Sequence, residues 1–570
     1  YMIPSYMMQI EAIPVTRNGK VDKKALPDIE TSFVRDYEEP RTDQERAVSV
    51  AFMDVLNVSQ VGAYDNFFEL GGDSIKAIRI ISKLRNAGYS INIKEIMSEK
   101  TVEKIALALK KDINVREYEQ NEVTGIVVKT PIIRIFDSYK LAKPEHYNQA
   151  MMFDVKGISN EIIHEAMIEI VKHHDVLRAV YRNQQLEILS VEESSLLDFY
   201  EYDYSSANDK VKLVDATCTE IQSSIDLEKG PLVKVAVFDC GDEKCMMICA
   251  HHLVIDGVSW RIISEDFETL VNQIKTGAKK QLPAKTASYI DWSKALDDYQ
   301  NSEQFEKDKK YWRKLESKFK EAELKYEILT NEFAGYETEI ISLTEEETNI
   351  ILKESNKAYN TETSDLLISA LAKTVYRYNN QSSVTLFMEG HGREELHVQI
   401  DTDRTVGWFT NIYLAVIEAY EDWEETIIQN KNMLHSIPNK GMGCEFAIPE
   451  ILHSIDGIEF NYLGEFSSDE NDEDIEKNIY TSGKPIAEEN KNACSISINS
   501  SVANGRMTFA ILYDKEKYSR QGMTEFAQYY HDALIEVGQF CSKTEESVVT
   551  ASDFEALADL DDFDSIIDLL

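Results

Sequence analysis

The chain has 570 residues, too many for one ordinary domain of roughly 150 residues, so several domains are expected. Hydrophobic residues make up 43% and charged residues 28%, which is typical of globular proteins and excludes a mostly disordered chain. The formal net charge of -41 disfavours binding to nucleic acid or to an anionic membrane surface.

The composition also limits the compartment and the cofactors. No window approaches the ~18 consecutive apolar residues of a membrane span. The 7 cysteines include no CxxC pair, which predicts neither a disulfide framework nor a zinc site. We therefore expect a cytoplasmic protein that has no membrane segment and no metal site.

The first part of the chain is a short head and a linker. Residues 1–27 hold short apolar runs around an Arg-Asn-Gly-Lys turn and are too few to bury a core of their own. Residues 28–40 are polar and end at a proline, which predicts a linker.

Residues 41–112 predict a small all-α bundle of four helices. A capping-box pattern at Thr42 and Glu45 begins the first helix, and the Gly71-Gly72 break precedes a helix that begins at Asp73-Ser74. The last helix is expected from Thr101 to Lys111. A serine at the first turn of a helix has a hydroxyl that a modifying enzyme can reach, although a simple helix cap explains the same residue.

A second linker is expected at residues 113–129, followed by a large body at residues 130–544. In the body, short strands such as CMMICA and SVTLFM alternate with amphipathic helices such as TSDLLISALAKTVYRY, which predicts two α/β lobes. Residues 545–570 contain nine acidic and no basic residues among spaced apolar ones. That pattern predicts an acidic amphipathic helix, or a segment that becomes helical on a partner.

Two short stretches of the body could carry chemistry. In HHLVIDGVSW, the pair His251-His252 follows the strand CMMICA; it could be a core pair, but a neutral imidazole is also what a general base requires. In EGHGRE, Glu389 follows the strand SVTLFM, where a single carboxylate is more often part of a solvated loop.

The helical unit with LGGDSIKAI resembles the peptidyl carrier domain of nonribosomal peptide synthetases. The resemblance implies that Ser74 carries covalent 4′-phosphopantetheine, attached by a phosphopantetheinyl transferase. The head, with IPVTRNGKVDKKALP, resembles the C-terminal end of an adenylation domain, in which Lys20 takes the place of the substrate-contacting lysine. Residues 1–27 would then be a remnant of an upstream adenylation domain.

The body resembles the epimerization domains of the same synthetases. HHLVIDGVSW resembles the HHxxxDG motif of the condensation superfamily, and EGHGRE, RTVGWFT and FNYLG resemble three epimerization motifs in the same order. The resemblance implies two chloramphenicol-acetyltransferase-like lobes around a tunnel. It also implies that His252 and Glu389 are an acid/base pair and that Asp256 holds the loop through a buried ion pair. Three further residues would line or support the site: Arg393, Asn461 and Tyr462.

The implied activity is epimerization at Cα of an L-aminoacyl or L-peptidyl thioester on Ser74, during the synthesis of a peptide antibiotic. Two alternatives are a condensation domain, which forms a peptide bond, and an inactive carrier and docking scaffold. The scaffold is suggested by the first motif, PIIRIF, which lacks the usual Gln and Trp. The acidic tail at residues 545–570 resembles docking segments and is expected to bind a downstream condensation domain or synthetase.

Overall fold

The structure is a computed structural model. It describes residues 38–56, 58, 60–67, 70, 77, 80–81, 83–84, 87–91, 93–111, 118–326, 328–330, 334–394, 396, 400–466, 480–544, 547–548, 550 and 552. Lys20, Ser74 and most of the acidic tail lie outside these residues, so the predictions made for them stay predictions. The chain divides into two compact units, residues 1–117 and 118–570. The division falls within the predicted linker 113–129, whose limits, like the other predicted boundaries, remain predictions.

The first unit is mainly helical. Among its described residues, the helices and the short antiparallel strand pair are α1 (Asp43–Leu56), β1 (Tyr89–Ser90), α2 (Ile93–Glu99), α3 (Val102–Ala108) and β2 (Lys110–Lys111). The expected capping box is present, because the backbone N–H of Glu45 donates to Thr42 Oγ1 at 3.0 Å and that of Thr42 to Glu45 Oε2 at 3.4 Å. Buried Phe52 and Phe67 meet in its core with ring centroids 5.6 Å apart.

One helix of this unit is shorter than predicted. We expected it to continue to Lys111, but it ends at Ala108. Leu109 adopts an extended conformation, with ψ of 126°, and the next two residues pair with β1. The helical periodicity of the sequence does not register this pairing, since the partner strand lies about twenty residues earlier.

The second unit contains three sheets. Their strands are β3 (Gly125–Ile126), β4 (Asn148–Asp154), β5 (Ala179–Arg182), β6 (Gln185–Ile188), β7 (Asp198–Asp203), β8 (Val233–Asp239), β9 (Lys244–His251), β10 (Tyr336–Ser342), β11 (Ser383–Gly390), β12 (Asn411–Glu418), β13 (Ile458–Phe466), β14 (Ile496–Ala503) and β15 (Arg506–Asp514). The strand orders are β3-β6-β5, β4-β9-β8-β7 and β10-β15-β14-β13-β11-β12. The strand segments CMMICA and SVTLFM and the helical segment TSDLLISALAKTVYRY, named in the sequence, all lie in elements of the expected type.

Helices surround these sheets. They are α4 (Pro131–Tyr139), α5 (Asn160–His173), α6 (Lys210–Ser223), α7 (Gly257–Thr276), α8 (Tyr289–Gln300), α9 (Glu303–Glu321), α10 (Glu345–Asn349), α11 (Thr363–Asn379), α12 (Trp423–His435), α13 (Cys444–Ala447), α14 (Pro449–Leu452) and α15 (Arg520–Ser542). Among the described residues, no helix is both long and apolar enough to cross a membrane.

The four-stranded sheet forms the centre of the first lobe. Strand β9 is paired antiparallel on both sides, with β4 and β8, and is almost entirely buried. This position explains its nearly continuous apolar sequence, because a strand covered on both faces shows no alternation. The strand ends at His251, so the loop that follows begins at the edge of the first-lobe core.

The six-stranded sheet forms the centre of the second lobe. Strands β11, β13 and β14 are parallel to one another, whereas β12, β15 and β10 pair antiparallel at the two ends. The chain beyond Tyr480 runs back to the first lobe, where the backbone N–H of Asn148 donates to Pro485 O at 2.9 Å. Gln222 Nε2 also donates to Ser482 O at 2.6 Å, so this segment ties the two lobes together.

Candidate functional site

The loop after β9 is fixed by the first histidine of the pair. His251 is fully buried; its Nε2 lies 2.8 Å from Pro144 O, and its Nδ1 accepts from the backbone N–H of Leu253 at 3.2 Å. Burial lowers the pKa of His251 to about 3, so the ring is neutral. Because both ring nitrogens are engaged, His251 supports the loop and has no nitrogen left for a substrate.

The second histidine is oriented differently. The backbone N–H of His252 donates to Tyr147 O at 3.0 Å, and its half-buried ring is stacked on Tyr147, with centroids 5.6 Å apart, and lies 4.2 Å from the ring of Trp408. Its Nδ1 is 2.9 Å from Ile255 O. Burial lowers the pKa of His252, against hydrogen bonds that raise it. The neutral form, which can accept a proton, is therefore favoured.

Asp256 and Arg393 form a buried ion pair, with Arg393 Nη2 at 3.4 Å from Asp256 Oδ1. Arg393 Nη1 also donates to the carbonyl oxygens of Thr402 and Thr405, at 2.6 and 2.9 Å, and its guanidinium lies 3.7 Å from the centre of the Phe409 ring. The pair thus joins the start of α7 to the loops after β11 and before β12. Its contacts are those of groups that hold the loops together.

Asp256 also caps helix α7. Its Oδ1 accepts from the backbone N–H of Ser259 at 2.8 Å and from the Ser259 hydroxyl at 2.7 Å, while its Oδ2 accepts from the backbone N–H of Phe409 at 3.1 Å. A carboxylate at a helix N-terminus is favoured by the helix dipole as well as by these bonds. The HHxxxDG loop and the GWFT segment are therefore fixed to each other through one side chain.

Glu389 lies near the end of β11 and remains accessible to water. Glu459 of β13 pairs with Phe387 of β11, so these two side chains lie on the same face of the sheet. Glu389 is two residues after Phe387 on β11, and side chains two residues apart on a strand share a face, so Glu389 and Glu459 project from the same face. Restricted solvation and the negative charge of Glu459 raise the pKa of Glu389 from 4.5 to about 7. The pKa of Glu459 is also raised by burial. A substantial fraction of the Glu389 carboxyl groups is therefore protonated near neutral pH.

Asn461 and Tyr462 differ in their relation to Glu389. The side chain of Asn461 hydrogen-bonds to Glu389, which favours the ionised carboxylate and opposes the rise in its pKa. Tyr462 pairs with Ser500 and through it with Phe509, whose ring lies 5.1 Å from Tyr530 of α15. Tyr462 is therefore on the opposite, helix-covered face of the sheet, so the structure brings Asn461, but not Tyr462, to the predicted acid/base residue.

Tyr147 connects the two halves of the site. Its ring is stacked on that of His252, and its pKa is raised by burial and by the charges of Glu459 and Glu389. Tyr139, in α4, has a raised pKa for similar reasons, with the same two carboxylates among the causes. His252 from the first lobe and Glu389 from the second thus act on a common neighbour.

Several residues of this site are not predicted by the sequence motifs: Gln149, which is 2.9 Å from His252 Nε2, and Tyr147, Trp408 and Glu459. Glu459 had a signal, because it is the charged residue of the strand segment IEFNY. Trp408 lies in the motif RTVGWFT but was not singled out. Tyr147 and Gln149 have no local signal, since they reach the site only because β4 pairs with β9.

The arrangement combines a neutral imidazole with a carboxyl group whose pKa is raised to about 7. A general acid or base is most effective when its pKa lies near the operating pH, so these two groups are suited to accept and donate protons in one reaction. No group of three or more His, Cys, Asp or Glu side chains among the described residues could hold a metal ion. The chemistry available from these side chains is proton transfer.

Comparison with known proteins identifies both units. Residues 46–109 match the family described as Phosphopantetheine attachment site, and residues 134–558 match the Condensation domain family. The first match shows that the chain carries covalently attached 4′-phosphopantetheine, and it includes Ser74. The second match covers more than half of the chain.

Similar proteins are peptide synthetases. Gramicidin S synthase 1 of Brevibacillus brevis is 33% identical over 598 aligned residues, which cover 100% of this chain and 54% of that protein. Tyrocidine synthase 2 of Brevibacillus parabrevis is 35% identical, over 97% of this chain and 16% of that protein. The chain therefore spans about half, or less, of these relatives.

A solved structure covers the second unit. The crystal structure of the epimerization domain from the third module of tyrocidine synthetase B is 32% identical, has a TM-score of 0.70, and covers 76% of this chain and 100% of that one. The expected two-lobed fold is thereby confirmed. The chain belongs to the condensation-domain family of the nonribosomal peptide synthetases, with a phosphopantetheine carrier domain ahead of the condensation-type domain.

Proposed function

We propose that the chain epimerizes, at Cα, an L-aminoacyl or L-peptidyl thioester carried on Ser74. The observation that carries this proposal is the presence of two acid/base groups from separate lobes beside the same residue, Tyr147: His252, whose pKa is lowered by burial, and Glu389, whose pKa is raised to about 7. Peptide-bond formation does not require a second proton-transfer group of this kind. The similarity to a tyrocidine synthetase epimerization domain supports the same conclusion.

Inversion at Cα requires that a proton leave one face and that another reach the opposite face. His252 is suited to accept the first proton because burial keeps its imidazole neutral. Glu389 is suited to donate the second because its pKa of about 7 leaves a substantial fraction of its carboxyl groups protonated near neutral pH. In the reverse direction the two groups exchange roles, as microscopic reversibility demands.

The carrier domain fits this chemistry. The phosphopantetheine thiol holds the substrate as a thioester, whose α-proton is more acidic than that of an ester or amide. The matched carrier segment includes Ser74, and helices α1 and α3 of that segment pack on a common core. Removal of the α-proton places negative charge on the thioester oxygen, which calls for a hydrogen-bond donor. Asn461, beside Glu389, is the donor that we assign.

The test is deuterium uptake from heavy water. Ser74 is loaded with an L-aminoacyl or D-aminoacyl phosphopantetheine, and the released acid is analysed by mass and chirality. We expect deuterium at Cα and a mixture of isomers from either substrate. Glu389→Gln and His252→Gln should each reduce inversion by about 100-fold or more, because a positioned acid or base contributes at least that factor.

The two variants should also separate the faces of the reaction. Each variant is expected to exchange the α-proton of only one substrate isomer, L or D, without inverting it. That isomer is the one whose α-proton faces the remaining base. Glu337→Gln is the matched control for Glu389→Gln, because Glu337 lies on the edge strand β10 of the six-stranded sheet that also contains Glu389. It should keep the wild-type rate of inversion.

Three outcomes would overturn the proposal. Inversion at the wild-type rate in both variants, or exchange from both isomers in each of them, would exclude the acid/base pair. No uptake from several correctly loaded amino acids would indicate an inactive scaffold. An amide product formed with a second loaded carrier, without exchange at Cα, would indicate condensation activity.

A further inference from the structure

Gln149 connects His252 to the first turn of helix α7. It lies on β4, opposite Ala250 of β9, and its side chain is directed to the loop that follows β9. Gln149 Nε2 is 2.9 Å from His252 Nε2, and Gln149 Oε1 accepts from Trp260 Nε1 at 2.8 Å. Trp260 is buried in the VSW part of the HHLVIDGVSW motif.

In the series of hydrogen bonds that links Trp260, Gln149 and His252, donors and acceptors can be assigned in only one consistent way. An indole N–H can donate but not accept, so the amide oxygen of Gln149 must face Trp260. The amide nitrogen of Gln149 then faces His252 and can only donate, so His252 Nε2 must accept. The proton of the neutral imidazole is therefore on Nδ1, where it is donated to Ile255 O at 2.9 Å.

We propose that Gln149, oriented by Trp260, is a positioning residue that holds His252 with its proton on Nδ1 and its lone pair on Nε2. This inference rests on the proposed function, because it assigns the atom of His252 that receives the substrate proton. A protonated imidazole would direct its Nε2–H against the amide N–H of Gln149. The contact therefore disfavours imidazolium until a substrate takes the place of the amide group.

Other titratable groups around His252 come from the start of β4, the end of β9 and the start of α7, whereas the segment before β12 places the uncharged ring of Trp408 against it. Tyr147, which precedes β4, is stacked on the ring and has a raised pKa, so it is neutral. His251, at the end of β9, is neutral because its pKa is lowered to about 3. Asp256, which caps α7, raises the pKa of His252 through its charge. Gln149 and burial act in the opposite sense to Asp256.

The test compares the pH dependence of exchange in variants of the full, loaded chain. With Gln149→Glu, a carboxylate would accept from Nε2–H and favour imidazolium, so the acid limb of the rate profile should move to higher pH by about one unit or more. Gln149→Leu and Trp260→Phe should move the limb in the same direction by less. A residue that only packs would lower the rate at every pH without moving the limb.

Trp312→Phe is the matched control for Trp260→Phe. Trp312 is also buried, and its indole N–H has no hydrogen-bond partner among the described residues. Its replacement should leave the acid limb in place. A shift as large as that of Trp260→Phe would show that loss of a buried indole, rather than release of Gln149, causes the effect.

A second measurement is independent of activity. Nitrogen NMR of histidine-labelled protein, with the His252→Gln variant used for assignment, should show a protonated Nδ1 and an unprotonated Nε2. A protonated Nε2 in the wild type, or an acid limb unmoved by Gln149→Glu, would overturn the inference even if epimerization is observed. Conversely, the expected tautomer without any exchange at Cα would contradict the proposed function and leave the tautomer assignment standing.

Discussion

At the scale of single residues, the site depends on two carboxyl groups, of which the motifs predicted Glu389 but not Glu459. Glu389 and Glu459 project from one face of the six-stranded sheet, and each disfavours ionisation of the other. Ser497 and Asn461 oppose this effect, because their side chains hydrogen-bond to Glu459 and Glu389, respectively. The acidity of Glu389 is therefore a property of the group of four side chains.

Glu459→Gln should lower the pKa of Glu389. Removal of the neighbouring negative charge makes ionisation of Glu389 easier, so its protonated form is lost at a lower pH. In the direction in which Glu389 donates, the alkaline limb of the exchange-rate profile should then move to lower pH. The measurement is the rate of deuterium uptake between about pH 5 and 9, the range in which a group with a raised carboxyl pKa titrates.

Glu418→Gln provides the comparison for this change. Glu418 ends strand β12, whose other end lies beside Glu389. It should leave the alkaline limb unchanged. An identical shift in both variants would mean that net charge, and not the proximity of Glu459, determines the pKa of Glu389.

At the scale of elements, the loop after β11 is held close to the loop before β12. Gly392 has a φ of +65°, and a Cβ atom at this position would lie only 1.6 Å from Phe409 O. The neighbouring Arg393 forms the buried pair with Asp256. The second glycine of EGHGRE, Gly392, is therefore needed both for its backbone conformation and for the close approach of the two loops.

Gly392→Ala should destabilise the protein and abolish exchange at Cα. The clash with Phe409 and the unfavourable φ together should lower the free energy of unfolding by roughly 2 kcal/mol or more. Gly277→Ala is the matched control, since Gly277 has nearly the same φ, +68°, and nothing within 4 Å of the added Cβ. It should cost only about 1 kcal/mol and retain activity.

Urea unfolding of both variants measures this difference, and the exchange assay reports on the site. Equal losses of stability would mean that backbone strain alone explains the need for glycine. Full activity in Gly392→Ala would mean that the position of Arg393 is not important for the reaction.

At the scale of the whole molecule, two acidic segments contribute a disproportionate share of the net charge of -41. Residues 465–476 contain seven acidic residues and no basic one, and residues 545–570 contain nine and none. Only the tail also has spaced apolar residues, the pattern of a segment that binds a partner. We therefore predict that the tail binds a basic surface on a downstream condensation domain or synthetase.

The affinity of that complex should fall with salt. Electrostatic attraction acts over about 30 Å at 0.01 M ionic strength but only about 3 Å at 1 M. Replacement of Asp561, Asp562 and Asp564 by Asn should weaken binding at low salt and reduce its salt dependence. The same three-charge change at Asp472, Glu473 and Asp474 is the control and should have little effect. An affinity that is independent of salt would contradict the prediction.

The sequence alone determined the family, the order of the domains and the type of most elements. Hydrophobic periodicity identified strands such as β9 and helices such as α11, because burial on one or both faces leaves a local pattern in the chain. The motifs also predicted roles for His252, Glu389 and Asn461, since each lies in a short stretch whose wording resembles a known one, and these roles stay predictions. These features depend on residues that are near one another in sequence.

Only the tertiary structure decided which side chains meet. Gln149 and Trp260 are 111 positions apart, and pairing of β4 with β9 brings them to His252. The parallel register of β11 and β13 places Glu459 on the face of Glu389, whereas the pleat turns Tyr462 to the other face. Proton affinity depends on burial and on neighbouring charges, which are set by contacts between distant strands, so the acid/base character of the site could not be deduced from local sequence.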